Sequence, residues 1–295
     1  MHIMHDSTKN YALDGCEPEA EARGMNTDTA SRVATFRNLH ERPEPLLLPN
    51  PWDAGTARLL AQLGFEALAT TSLGVANALG RARASAQDVL DNVRAIAEAT
   101  SLPVNADLEN GWADEPRAAA AILAQAFDRG AAGGSLEDAT GDPRRPIYDF
   151  AHAVERVHAG VEAARALPAP FVFTARAEGL LYGVADLDGI VRRLQAFEGT
   201  GADVLYAPGL RTLEQMRTVV RAVKQPVNVV MGFADPTLTL DELREAGVRR
   251  VSIGGGLSRL ALRAFLDGAR EMRAGRFGFV KQMVSLGELR PAFSS

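Results

Sequence analysis

The chain has 295 residues and a formal net charge of −5, because 37 Asp and Glu residues outnumber 32 Lys and Arg residues. Its hydrophobic fraction of 46% and charged fraction of 23% are those of a globular protein and exclude wholesale disorder. Net acidity argues against nucleic-acid binding, which needs clustered basic surface. The single cysteine, Cys16, excludes a disulfide framework and a cysteine-based zinc site.

The amino-terminal segment, residues 1–24, has no apolar periodicity and no apolar run of the length that a signal peptide needs. We expect it to be a disordered extension. No stretch of the chain approaches the ~18 consecutive apolar residues of a membrane span. The sequence therefore predicts a soluble, cytoplasmic protein that binds neither nucleic acid nor membrane.

From Ser31 onward, short apolar runs alternate with longer segments of helical pattern, after a predicted helix at 31–42. The apolar runs are continuous, which is typical of parallel strands covered on their faces. The predicted strands are 46–48, 67–71, 103–107, 134–137, 171–176, 204–206, 227–230 and 251–253. The helices predicted to follow them are 53–63, 86–97 (with Ser85 as N-cap), 115–127, 149–164, 187–197, 213–223, 240–246 and 259–269.

Eight strand-then-helix units without a break in composition predict one α/β domain, a (β/α)8 TIM-type barrel over residues 31–270, because eight such units close naturally. The alternative is a doubly wound open sheet. Residues 271–295 lie outside the repeat and predict a C-terminal helical arm with one more helix near 277–286. This arm either caps the barrel or packs on a neighbouring subunit.

Polar residues follow the predicted strands at the positions where a barrel enzyme builds its site. They are Asn50, Trp52 and Asp53, residues 72–77, Asp107, Glu109, Glu137, Asp138, Arg176, Glu178, Asn228 and residues 254–256. Carboxylates that follow the third, fourth and fifth strands repel one another unless a cation compensates them. Arg176 is one counter-charge and a divalent metal ion is another. Oxygen ligands without His or Cys predict Mg²⁺, with Mn²⁺ as the alternative.

Two of these positions have a structural alternative. Asp53 lies at the start of the first barrel helix, where it either caps free backbone N–H groups or acts in the active site. The glycines at 254–256 precede a helix, where backbone N–H groups bind anions in many barrels, but glycines also simply end strands.

Eight segments carry a resemblance to a known family. They are NPWDAGTARLL (50–60), TTSLGVAN (70–77), PVNADLENGWAD (103–114), GAAGGSLEDAT (130–140), FTARAEG (173–179), GADVLYAPG (201–209), PVNVVMG (226–232) and GVRRVSIGGGLSR (247–259). Together they resemble the isocitrate lyase/phosphoenolpyruvate mutase superfamily, from the helix before Asn50 to Phe265. The DLENG and LEDAT segments, one βα unit apart, are the most specific.

The resemblance implies a role for each predicted site residue. It implies Mg²⁺ among Asp107, Glu109 and Glu137, partly through water, and Arg176 on the substrate's carboxylate or phosphonate group. The implied substrate-binding residues are Ser72, Leu73 and Gly74, and the implied catalytic residues are Arg176 and Asn228. From their place after the predicted strands, Asn77 and Trp52 are also expected to bind substrate and Asp53 to be catalytic. It also implies a homo-oligomer, a dimer or a dimer of dimers with exchanged C-terminal helices.

The sequence departs from the family at one residue and in one loop. Asn77 stands where the mutases often have Asp, which favours hydrogen bonding to substrate over a role in the metal shell. Isocitrate and methylisocitrate lyases carry a Lys-Lys/Arg-Cys-Gly-His stretch after the fourth strand, whose Cys is the general acid. Here the corresponding loop, residues 138–150, reads DATGDPRRPIYDF, without Cys or His, and it also lacks the Lys and Asn of phosphonopyruvate mutases. Authentic isocitrate or methylisocitrate lyase activity is therefore not expected. Arg144 and Arg145 either supply charge from this loop or are simply solvated.

The expected function is that of a Mg²⁺-dependent lyase. It would cleave a C–C bond next to the α-oxo or α-hydroxy group of a small carboxylic acid through a metal-bound enolate, as a decarboxylase or a retro-aldol enzyme does. One alternative is a mutase or hydrolase acting on the P–C bond of a phosphonate such as phosphonopyruvate. Another is a non-catalytic barrel that binds oxoacids.

Overall fold

The computed structural model describes residues 27–293, so the predicted extension at 1–24 lies outside the described residues. The strands are β1 (Leu46–Leu48), β2 (Leu68–Ala69), β3 (Val104–Asp107), β4 (Gly133–Glu137), β5 (Val172–Arg176), β6 (Val204–Tyr206), β7 (Val227–Val230) and β8 (Arg250–Ser252). The helices are α1 (Thr27–Glu41), α2 (Ala54–Gln62), α3 (Ser72–Ala78), α4 (Ala86–Ala99), α5 (Pro116–Ala120), α6 (Ile122–Asp128), α7 (Phe150–Arg165), α8 (Leu187–Gly199), α9 (Leu213–Ala222), α10 (Leu240–Glu245), α11 (Gly256–Arg273) and α12 (Leu286–Phe293), with a 3₁₀ helix at Gly278–Gln282.

The eight strands form one parallel sheet in the order β1-β8-β7-β6-β5-β4-β3-β2. Its two ends meet, because Ala69 N–H donates to the Pro49 carbonyl at 3.0 Å and the Asn50 side-chain amide donates to the Thr70 carbonyl at 3.0 Å. Neighbours in the sheet are neighbours in sequence, which excludes the doubly wound alternative. The (β/α)8 TIM-type barrel is confirmed.

The interior of the barrel is more polar than the prediction of continuous apolar strands implied. Polar side chains on alternate strand positions line the inside, namely Asn105, Asp107, Ser135, Arg176, Tyr206, Asn228, Arg250 and Ser252. The positions between them, such as Ala106, Leu136 and Val251, are buried and apolar. Because successive side chains on a strand point to opposite faces, the outer face packs on the helices while the inner face carries the chemistry.

Helix α1 closes the amino-terminal end of the barrel. Its fully buried Phe36 lies against the first residue of β4, where a Cβ on Gly133 would approach the ring to 2.7 Å. Its His40 lies 3.5 Å from the guanidinium of Arg250, the first residue of β8. The opposite end, where the strands finish, is left for the site.

Three elements differ from the predicted ones. Residues 72–78 form the unpredicted helix α3, and the single helix predicted at 115–127 is divided at Ala121 into α5 and α6. The arm helix begins only at Leu286, because the Ser285 hydroxyl accepts the Glu288 N–H and caps α12 there.

Helix α12 packs on α2 of the same chain. The packing of the arm on a neighbouring subunit stays a prediction. None of the helices between residues 27 and 293 is long and apolar enough to cross a membrane.

Candidate active site

A cavity of about 160 Å³ opens at the carboxyl ends of the strands and reaches into the barrel. Its polar lining is Asn50, Thr70, Thr71, Ser72, Asn105, Asp107, Ser135, Arg176, Tyr206, Asn228, Arg250 and Ser252. Its apolar lining includes Leu73, Leu181, Pro208 and Phe233. A concave pocket with convergent polar groups at this face of a barrel is the expected place for an active site.

Arg176, the last residue of β5, lies between three carboxylates. Its Nη1 is 2.7 Å from Asp107, its Nη2 is 2.9 Å from Glu137, and its Nε donates to Glu178 at 3.0 Å. Burial lowers the pKa of this guanidinium, but the carboxylates outweigh burial and raise it well above its usual value. The strand register explains the cluster, since Glu137 and Arg176 are paired across β4 and β5.

The carboxylates around Arg176 are more than one guanidinium neutralises. Burial, opposed by Arg176 and reinforced by neighbouring carboxylates, raises the pKa of Glu137 well above its usual range. Burial likewise raises the pKa of Glu178 to about 7 and that of Asp138 to about 6. Asp138 is held by the Glu178 N–H at 2.7 Å and by Arg193 at 3.1 Å. Burial therefore disfavours the ionised form of these carboxyl groups, and Arg176 alone does not compensate them, so a further cation would be needed to keep them all charged.

The carboxylate groups around Arg176 fit a hard divalent cation, which would also balance their charge. The available ligands are all carboxylate oxygens, which suit Mg²⁺ or Mn²⁺. Within residues 27–293, however, no three Asp, Glu, His or Cys side chains are gathered as direct ligands. The arrangement fits an ion that keeps several of its waters, as Mg²⁺ does.

Thr70 and the first residue of α3, Ser72, hold Asp107 in place. The Thr70 hydroxyl accepts the Asp107 N–H at 2.9 Å, and Ser72 N–H donates to the Asp107 carboxylate at 2.9 Å. Helix α3 begins here because the Thr71 hydroxyl accepts the Gly74 N–H at 3.3 Å. Ser72 and Leu73 line the cavity, as expected of substrate-binding residues.

The other three residues expected to bind substrate do not line the cavity. A Cβ on Gly74 would lie 2.6 Å from Thr71 and 2.9 Å from the Cβ of Trp52, so Gly74 permits a close approach between α3 and the β1–α2 loop. Asn77 donates to the Ser258 hydroxyl on α11 at 3.4 Å. The carbonyl of Trp52 accepts from the Asn92 side chain at 2.8 Å. The substrate contacts of these three residues remain predictions.

Glu109 lies near the mouth of the site in a left-handed backbone conformation, with φ of 44°. Such a conformation in a non-glycine residue is uncommon, and it clusters at functional sites. The Glu109 carbonyl accepts the Glu137 N–H at 2.8 Å, while its carboxylate pairs with Arg83 at 3.0 Å. Arg83 was not predicted from the sequence, because it precedes helix α4 and does not follow a strand.

Of the two roles considered for Asp53, the structure shows helix capping. Its carboxylate accepts the Thr56 N–H at 2.7 Å in a capping box at the start of α2, and it is exposed and does not line the cavity. Asn50 is more central than expected, because its side-chain oxygen accepts the N–H groups of Ile253 and Gly254 at 3.0 and 2.8 Å. A catalytic role for Asp53 remains a prediction.

Asn228 lines the cavity with both ends of its amide engaged. Its oxygen accepts the Arg250 Nε–H at 2.8 Å, and its nitrogen donates to Ser252 at 3.1 Å. Sequence reasoning missed Arg250 because it begins a strand instead of following one. The alternation of polar and apolar residues in RVS at 250–252 and VFTAR at 172–176 was the signal that would have found the inward positions.

The loop at 138–150 folds back on itself beside the site. Ala139 and Ile147 form an isolated bridge, and the Tyr148 hydroxyl donates to Asp114. The side chain of Arg144 is 90% exposed and pairs with Asp142 of the same loop at 3.1 Å. This matches the solvated interpretation of Arg144.

Comparisons with known proteins identify the family. The phosphoenolpyruvate phosphomutase profile matches residues 36–273. The 2-methylisocitrate lyase of Escherichia coli K12 is 30% identical over 225 residues, which cover 72% of this chain and 75% of the lyase.

Solved structures show the same relationship. A candidate lyase/mutase from Burkholderia cenocepacia J2315 is 49% identical with a TM-score of 0.89, over 92% of this chain and 98% of the other. An oxaloacetate acetylhydrolase in complex with its product oxalate is 26% identical with a TM-score of 0.78, over 90% of this chain and 93% of the other. The chain therefore belongs to the isocitrate lyase/phosphoenolpyruvate mutase superfamily of lyases and mutases.

Proposed function

We propose that the protein is a Mg²⁺-dependent lyase that cleaves a C–C bond next to the α-oxo or α-hydroxy group of a small carboxylic acid. The observation that carries the proposal is the cluster of Asp107, Glu137 and Glu178 around Arg176 at the mouth of a small polar cavity. Two relatives whose names specify C–C bond cleavage, the 2-methylisocitrate lyase and the oxaloacetate acetylhydrolase, support the reaction class.

A bound Mg²⁺ would polarise the α-oxo acid and stabilise the negative charge that develops as the neighbouring bond breaks. Asp107, Glu137 and, at the mouth, Glu109 are the residues that would hold the ion, largely through water. The Ser72 N–H holds Asp107 in position, and Arg176 keeps the carboxylates from repelling one another.

Substrate fits between the carboxylate cluster and the apolar lining. Leu73 and Phe233 are on the wall of the cavity, where a bound substrate would cover them and keep water from the reacting carbon, which strengthens electrostatic interactions in the site. A cavity of about 150 Å³ in another protein holds a molecule as small as benzene, so this one suits a compact acid.

The second candidate is P–C bond cleavage or rearrangement of a phosphonate. The match to the phosphoenolpyruvate phosphomutase family favours it specifically. The same site could bind a phosphonate or a carboxylate, since each would be an anionic group attached to an α-oxo acid.

Turnover assays separate these candidates. The purified chain is assayed with oxaloacetate, 2,3-dimethylmalate and phosphonopyruvate, each with Mg²⁺ and with EDTA. We expect Mg²⁺-dependent release of the C–C cleavage products. Turnover of phosphonopyruvate but of neither other compound, seen as release of inorganic phosphate or as conversion to phosphoenolpyruvate, would favour the second candidate. Oxoacid binding without turnover across the panel would contradict both.

The proposal includes a cytoplasmic location, supported by the single cysteine, and a homo-oligomer, supported by the exposed apolar side chains of α11 and of the segment after it.

A further inference from the structure

A buried arginine without a carboxylate partner lies at the inner end of the cavity. Arg250 is 2% exposed and lines the cavity from the start of β8. Its Nε donates to Asn228 at 2.8 Å and its Nη1 to the Thr174 hydroxyl at 3.1 Å, both neutral groups. No salt bridge within residues 27–293 includes it, and its Nη2 makes no hydrogen bond to the described residues.

Arg176 and Arg250 are the two positively charged residues that line the cavity, and they differ in their partners. Arg176 is already neutralised by three protein carboxylates. An incoming anion would have to displace one of them. Arg250 needs no such exchange, so its charge is available to a ligand.

The groups that face Arg250 leave its charge uncompensated. His40 lies 3.5 Å away on α1, and burial followed by the charge of Arg250 lowers the pKa of His40 to about 4, so this imidazole is neutral at pH 7. Burial raises the pKa of Tyr206, so this phenol is also neutral. Arg176 adds a second positive charge from above. A buried charge is costly without a partner, which favours occupation by an anion.

A second unpartnered group lies in the same lining. Asn105 is 3% exposed, and its side-chain oxygen has no hydrogen-bond partner within the described residues. This oxygen is an acceptor and cannot bind a carboxylate, so anion binding at the inner end depends on the donors of Arg250 and not on Asn105.

The two arginines lie at different depths. Arg250 donates to Thr174, which is two residues before Arg176 on β5. Two residues of strand span about 6.6 Å, so the Arg250 guanidinium lies roughly that much deeper in the barrel. One small diacid spans such a step.

We propose that the inner end of the cavity, formed by Arg250, Asn228 and Thr174, binds an acidic group of the substrate. The substrate is then a small dicarboxylate, with its reacting end at the carboxylate cluster and its second carboxylate on Arg250. This inference rests on the proposed function for the reacting end, but binding at Arg250 is measured without turnover.

The test compares succinate with its monoamide, succinamate, by isothermal titration calorimetry of the full chain, with and without Mg²⁺. We expect the wild-type protein to bind succinate at least tenfold more tightly, and Arg250→Gln to lose that preference. Arg156→Gln is the matched control, because Arg156 is also buried but donates to backbone carbonyls outside the cavity. This control should keep the preference.

An Arg250→Gln variant that still prefers succinate, or a wild-type protein without a preference, overturns the proposal. If Arg250→Gln fails to fold, a crystal structure of the wild-type protein soaked in succinate decides the matter. A carboxylate on Arg250 supports the proposal, and succinate at the mouth alone or nowhere overturns it. A diacid preference without turnover of any oxoacid would contradict the proposed function and leave this site standing.

Discussion

The guanidiniums of Arg176 and Arg250 are both buried in the same cavity, but within residues 27–293 only Arg176 has carboxylate partners. Three carboxylates raise the pKa of Arg176 against the effect of burial, whereas burial lowers that of Arg250 to about 9. Arg250 is thus still charged at neutral pH. If Arg176 binds the substrate's carboxylate, as predicted, it must first release one of the protein carboxylates that it now contacts. Among the described residues, Arg250 has no protein carboxylate to release.

Glu109→Gln tests the metal assignment, because it removes one negative charge at nearly constant shape. Residues around a metal site typically change its affinity by about 10–100-fold when altered, and we expect a loss of this order in apparent Mg²⁺ affinity. A titration of activity against Mg²⁺ measures it. Glu214→Gln, on the exposed face of α9, is the control. Unchanged Mg²⁺ dependence in Glu109→Gln would contradict the assignment.

His40 makes the stability of the fold depend on pH. Its Nδ1 lies 2.8 Å from the Phe36 carbonyl, and burial, followed by the charge of Arg250, lowers its pKa from 6.5 to about 4. The unfolded chain therefore takes up a proton below pH 6.5 that the folded protein does not. Its contribution to stability is complete above pH 6.5 and is lost as the pH falls towards 4.

Between pH 6.5 and pH 5 this loss in the free energy of unfolding is about 2 kcal/mol. Urea denaturation at several pH values measures it in the wild-type protein and in His40→Gln. The variant should lack this component of the pH dependence. Parallel curves for the two proteins would show that His40 is not its source.

The sequence identified site residues at the ends of strands but not those that begin a strand, lie inside one or precede a helix. Asp107, Glu137 and Arg176 were predicted from their place after apolar runs, and the structure brings them into contact. Arg250 and Thr174 were missed, because a polar residue inside a strand is assigned to the inner or outer face only once the register is known.

Among the elements, the strands were predicted more accurately than the segments between them. Most strands contain buried apolar residues and are bounded by turn residues, a signal that is local in sequence. The helix α3 was missed because TTSLGVAN at 70–77 combines β-branched residues with a glycine, both weak helix formers. What stabilises α3 is the Thr71 cap and its packing on the β1–α2 loop, and such packing is not visible in a sequence.

Gly74→Ala tests the close packing of α3. The new Cβ would lie 2.6 Å from Thr71 and 2.9 Å from the Cβ of Trp52, distances that force a shift. Overpacking of this kind costs about 1–3 kcal/mol in the free energy of unfolding, and the shift would displace the Ser72 N–H from Asp107 and raise KM.

Urea denaturation and steady-state kinetics measure these two effects. Gly199→Ala is the matched control, since a Cβ there meets nothing within 4 Å. We expect it to leave stability unchanged or slightly increased. Equal stability of Gly74→Ala and the wild-type protein would show that α3 has room to adjust.

At the scale of the whole molecule, the exposed apolar side chains concentrate at the carboxyl-terminal end of the chain. On α11 and the arm they are Leu260, Leu262, Phe265, Leu266, Met272, Phe277, Val280, Met283, Val284, Leu286 and Phe293. Single exposed apolar residues are ordinary, but a contiguous set on one helix and the segment after it marks an interaction surface. Although α12 packs on α2, these side chains of α11 and the arm remain exposed within the described part of the chain.

A second copy of the chain is the occupant we propose for this surface, and Phe265→Glu tests it. The Phe265 side chain is 71% exposed on α11, so a charge there costs the isolated subunit little but disfavours burial between subunits. Light scattering after size exclusion should give a dimer or tetramer for the wild-type protein and a smaller species for the variant. Leu63→Glu, 75% exposed at the end of α2, should assemble normally. A monomeric wild-type protein, or a Phe265→Glu variant of unchanged mass, would contradict assembly through this face.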